Sequence, residues 1–151
     1  MPDRVREKLL DALIGLELGI IGGILMLVWY ALIAPVLGQP WWTVPNLLGS
    51  KYYAARVVRS GPGFVTVSGS ALHLVMAGVV GGFAGLLTPG NRLVGLGVAL
   101  AWYLAGYFYL WKRASPMLPD YAWQPVLAAG YFIYGSVLGY HHQTRARGTP
   151  M

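Results

Sequence analysis

Two ionisable side chains, Glu17 and His73, fall inside otherwise apolar runs of this 151-residue chain, and any chemistry would have to start from them. A carboxylate sunk in hydrocarbon has its charged form disfavoured, so it can hold a proton and exchange it for a cation. An imidazole at mid-span can ligate the metal of a haem or chlorophyll, or relay a proton. Plainer roles stand beside these. Glu17 lies about one turn inside its run, near Asp11 and Lys8, and can snorkel to the interface or pair with Arg6, Lys8 or Arg92. His73 shares a small, partly polar helical face with Thr66, Gly69, Ser70, Ala77 and Gly81, where one hydrogen bond to a neighbouring helix would satisfy it. A bis-histidine haem would need a second histidine at depth, and His141 and His142 fall at the end of the last run. The rise of a helix sets Glu17 and His73 roughly 10 Å apart along the membrane normal, so they are not expected to pair.

The rest of the chemical inventory is sparse. There is no Ser/His/Asp set, HExxH motif or phosphate-cradling loop. The absence of cysteine excludes thiolate metal sites, iron–sulfur ligation and thiol catalysis. We expect no enzyme activity and no metal site. No resident cofactor is expected either, the exception to weigh being a haem or chlorophyll held by His73.

The elements that would position these residues are long apolar helices. With 56% hydrophobic and 11% charged residues, the chain has too little polar surface for a water-soluble domain. Four runs approach or exceed the roughly 20 residues needed to cross about 30 Å of hydrocarbon. They lie at about 13–37, 64–87, 93–111 and 123–140, and predict one all-α domain over 1–151, a four-transmembrane-helix bundle. Arg4, Arg6 and Lys8 precede the first run as in a secretory signal, but about 25 apolar residues is too long for a signal core, so an uncleaved anchor is expected.

Four spans put both termini on one side, together with the Thr88–Arg92 turn broken by Pro89 and Gly90. On that side stand Arg4, Arg6, Lys8, Arg92, Arg145 and Arg147; opposite are Lys51, Arg56, Arg59, Lys112 and Arg113. The slight excess favours cytoplasmic termini in a bacterial inner membrane. The formal charge of +6 fits anionic lipid headgroups, and nucleic acid is not expected because no basic domain stands free of the membrane.

Glycine spacing predicts how the helices meet. Gly15, Gly19 and Gly23 share one face of the first span, with Gly78 and Gly82, Gly81 and Gly85 in the second, and Gly135 and Gly139 in the fourth. Small residues four apart let helix backbones approach closely in lipid. Leu27-Val28-Trp29-Tyr30 also echoes Leu100-Ala101-Trp102-Tyr103, which raises the possibility of two parallel helical-hairpin repeats.

Aromatic residues gather opposite the termini: Trp41, Trp42, Tyr52, Tyr53, Trp111, Tyr121 and Trp123, bounded by prolines. They read as an interfacial belt, and also as a rigid cap for docking on a larger subunit. Between the first two spans, Asn46–Val58 is expected as a short interfacial helix bearing Lys51 and Arg56.

In its four spans, the single carboxylate of the first (Glu17) and its nearly balanced Lys and Arg, the chain resembles the small multidrug resistance transporters. That resemblance covers one residue and a topology, and the long first loop, greater length and shallow Glu17 depart from it. It implies a homo-oligomer that transports lipophilic cations coupled to protons through Glu17. The leading expectation is different: a non-catalytic accessory subunit that binds membrane lipids and larger integral-membrane subunits. The host assembly is expected to be energy-transducing, respiratory or photosynthetic, and engaged in electron transport.

Overall fold

The computed structural model describes residues 3–54, 56–87 and 92–147. Among them the chain is helical, with no strand. The helices are α1 (Asp3–Val36), three short turns α2 (Thr43–Leu48), α3 (Ser50–Tyr53) and α4 (Arg56–Arg59), then α5 (Phe64–Leu87) and α6 (Arg92–Ala105). A π-helical segment (Gly106–Leu110) leads directly into α7 (Trp111–Ala114), followed by α8 (Leu118–Tyr121) and α9 (Gln124–Arg147). The expected turn at Thr88, Pro89 and Gly90 lies outside the described residues, as do the side chains of Tyr121, His141, His142, Arg145 and Arg147.

Among the described residues, three helices are long and apolar enough to cross a membrane: Arg4–Val36, Phe64–Leu87 and Arg92–Ala114. The fourth expected span coincides with α9, whose Gln124, Ser136, His141, Gln143 and Thr144 dilute its apolar run. α1 is the central element and packs on α5 and α9, while α6 packs on α9; α5 and α6 scarcely touch.

Glycines set this arrangement. A methyl added at Gly15 would land on the carbonyl of Gly81, one at Gly19 on that of Ala77, and one at Gly85 on that of Asp11. The helices therefore run antiparallel with backbones in contact, Gly15-Gly19-Gly23 lying along Ala77-Gly81-Gly85. Gly95 and Ala99 of α6 meet Gly135 and Gly139 of α9 in the same way, a Cβ at Gly139 coming 2.8 Å from the Arg92 Cα. Gly78 faces the Ile20 side chain at 3.1 Å, and Gly82 makes only ordinary contacts. α1 ends in a glycine cap: Gly38 takes φ +71°, its N–H reaches the Pro35 carbonyl, and the Gln39 N–H reaches that of Ala34.

The exterior differs from that of a water-soluble domain. Outward faces carry Leu13, Leu32, Val67, Phe83, Leu93, Phe108 and Phe132, whereas Asn46, Ser50, Thr66, His73 and Ser115 are buried. An apolar shell around a polar-containing core matches hydrocarbon as solvent. In the two echoing motifs the core takes different members: Tyr30 is buried with Trp29 at its edge, but Trp102 is buried with Tyr103 at its edge.

The loop between α1 and α5 corrects the expectation of a single helix lying on the surface. Gly49 separates α2 from α3, α3 ends at Ala54 with φ +46°, and Val44–Leu47, Ser50 and Val57 are buried against the helix ends. A methyl at Gly69 would strike the Pro45 carbonyl, so α2 sits directly on α5.

Candidate functional site

His73 projects from the buried face of α5 that also carries Thr66, Gly69, Ala77 and Gly81. Its imidazole is 6% exposed and lies nearly parallel to the Trp102 indole, 18° between planes and 6.1 Å between centroids. Trp102 in turn meets Tyr131 at 5.1 Å and Tyr134 at 4.8 Å, both edge-on, the geometry aromatic quadrupoles prefer. The Tyr134 hydroxyl donates to the Ala77 carbonyl at 2.6 Å, joining α9 to α5. Trp29 Nε1 donates to the Val126 carbonyl, and the Tyr30 hydroxyl to that of Leu127, joining α9 to α1. Gly22 and Gly130 make room for the rings of Tyr134 and Tyr30.

The Gly23 backbone hydrogen-bonds the imidazole of His73, yet His73 Nε2 is buried without a partner among the described residues. The His73 side chain also lines a cavity of about 100 Å³ between α5 and α6. The wall includes Leu72, Met76, Trp102, Gly106, Trp111 and Tyr131. The π segment shapes this space. Its extra residue per turn re-aims the helix, and a methyl at Gly106 would come 2.9 Å from Trp111 Nε1, so the glycine lets that indole fold inward. At this size the cavity holds no tetrapyrrole beside the imidazole, since even drug-sized ligands occupy about 300 Å³ or more.

Trp111 is the clearest correction among the expected docking residues. It is 6% exposed, packed against Tyr103, Tyr107 and Tyr131, and has no surface to offer a partner. Trp41, Tyr52 and Trp123 are exposed; Trp42 and Tyr53 are half-buried, Trp42 edge-on to Trp41 and Tyr53 edge-on to Phe64. Glu17 is exposed on the face of α1 turned away from α5 and α9. His73 is level with Gly23, six residues further along α1, so the two ionisable groups are not brought together.

The most connected polar side chain at the loop end is one the sequence reading did not single out. Asn46, fully buried, donates through Nδ2 to the carbonyls of Val57 and Ser60, both at 3.2 Å, and accepts the Thr66 hydroxyl at 2.6 Å. Thr66 Oγ1 also accepts the Gly63 N–H. Across the same end the Ser115 hydroxyl donates to the Leu48 carbonyl, and the Met117 N–H to Ser50 Oγ. These bonds bolt the first loop to α5 and to the α7–α8 segment. No group of three or more His, Asp or Glu able to hold a metal occurs among the described residues. No protein-family model matches the chain, and no curated protein or solved structure matches it.

Proposed function

We propose that the chain is a four-helix integral-membrane protein with both termini in the cytoplasm of a bacterial cell, serving as a non-catalytic accessory subunit of a larger membrane assembly of the energy-transducing kind. The observation that carries this reading is the loop end. Exposed Trp41, Tyr52 and Trp123 stand on a scaffold whose buried polar groups, Asn46, Ser50 and Ser115, are all hydrogen-bonded. A preformed aromatic platform loses little side-chain freedom on association, which is what a docking surface requires. Exposed Lys51, Arg56, Arg59, Lys112 and Arg113 surround it, with Asp120 the acidic residue on that side, so it suits an acidic partner surface or anionic headgroups.

Glu17 fits this reading better than proton-coupled transport. About 20 residues cross the hydrocarbon, and counting back from Val36, the last residue of α1, reaches Glu17. Leu18 shares a groove with Tyr140, and Gly139 abuts Arg92, so Glu17, Arg92 and Tyr140 lie near one level. A boundary there leaves Glu17 in the headgroups, facing outward, where its carboxylate reaches water rather than a site between helices. The four helices then pack as two glycine-tight pairs, α1 with α5 and α6 with α9, joined where α1 meets α9.

Photo-cross-linking from Trp41, Tyr52 and Trp123, each replaced by a benzophenone amino acid, tests the platform. The expected product is one larger integral-membrane protein captured from all three positions. Products containing only a second copy of this chain would overturn the accessory reading and favour the homo-oligomer.

A further inference from the structure

The orphaned nitrogen of His73 is a specific chemical statement. Within α1 the Gly23 N–H is taken by the helix, so the group left to bond the imidazole is the Gly23 carbonyl, which accepts from Nδ1–H. Nε2 is then a lone-pair acceptor, buried and without a donor. Native proteins rarely leave such a group unsatisfied. The wall's other polar groups already have partners, the Ser115 hydroxyl donating to the Leu48 carbonyl and the Trp111 side chain hydrogen-bonding that of Tyr131, and the rest of the wall is apolar.

The cavity's shape narrows the ligand. Its roughly 100 Å³ is two-thirds of the about 150 Å³ that holds a benzene ring. It opens where α5 and α6 scarcely touch, with Met76 partly exposed at the mouth. A ring entering edge-first would lie among Trp102, Trp111 and Tyr131, its remainder leaving between the helices toward lipid. No carboxylate, lysine or arginine lines the space, so a charged ligand would go unpaired.

We propose that this cavity binds an uncharged, membrane-soluble ring bearing a hydroxyl group, a phenol or the head of a quinol, whose hydroxyl donates to His73 Nε2. The site is independent of the docking platform and does not rest on the accessory reading. It is tested with the full chain in lipid nanodiscs, titrating 4-fluorophenol and, separately, fluorobenzene by fluorine NMR against empty nanodiscs. The expected result is saturable binding of 4-fluorophenol at least tenfold tighter than fluorobenzene. His73→Phe should abolish that preference, and Leu72→Phe, which narrows the cavity and keeps the imidazole, should weaken binding of both probes. Leu72→Phe also serves as the test should His73→Phe not fold. Equal affinity for the two probes, no saturable phenol signal (a cavity holding water only), a phenol preference that survives in folded His73→Phe, or binding left unweakened by Leu72→Phe would overturn the proposal.

Discussion

Asn46 holds three side-chain hydrogen bonds at a position with no exposure, and each partner is left wanting if it goes. Asn46→Ala should destabilise the protein by about 2–3 kcal/mol, the scale of buried polar groups losing their partners, read as a shift in unfolding midpoint in detergent. Tyr134 separates two effects. Tyr134→Phe removes one bond to a carbonyl that helix α5 already uses, and should cost no more than about 1 kcal/mol. Tyr134→Ala removes a fully buried ring and should cost about 3–5 kcal/mol. His73 was legible in the sequence because a lone imidazole in an apolar run stands out. Asn46 was not, since its partners are two loop carbonyls and a threonine 20 residues away, and no periodicity marks such a set.

At the scale of elements, glycine spacing announced close packing, and α1 meets α5 where Gly15, Gly19, Gly81 and Gly85 predicted. The matching small pair of α6, Gly95 and Ala99, has the same spacing and could have been read the same way. Gly81→Leu should drive α1 from α5 and lower stability even though glycine is the poorer helix former, by up to roughly 0.8 kcal/mol. Gly97→Leu, where an added Cβ meets nothing, should be neutral or stabilising. Comparing the two unfolding midpoints isolates packing from propensity; equal shifts would contradict the contact. The fragmentation of the Asn46–Val58 segment and the inward turn of Trp111 were not legible. Both depend on tertiary contacts: α2 against Gly69, and a π segment over Gly106, neither of which leaves a periodic pattern.

For the molecule as a whole, composition was enough to foresee an apolar exterior, because charged residues are too few to cover a surface in water. Function was less legible, since a non-catalytic role leaves no motif. Glu17→Gln should leave folding and partner binding unchanged, because the side chain faces outward at the proposed boundary; loss of both would place the carboxylate in an interface instead. The most direct measurement is native mass spectrometry of the tagged full chain, purified in mild detergent. We expect this chain in fixed stoichiometry with a larger integral-membrane protein, a complex lost when Trp41 and Trp123 are both replaced by alanine. A homo-oligomer alone, unchanged by those substitutions and carrying out Glu17-dependent proton exchange, would contradict it.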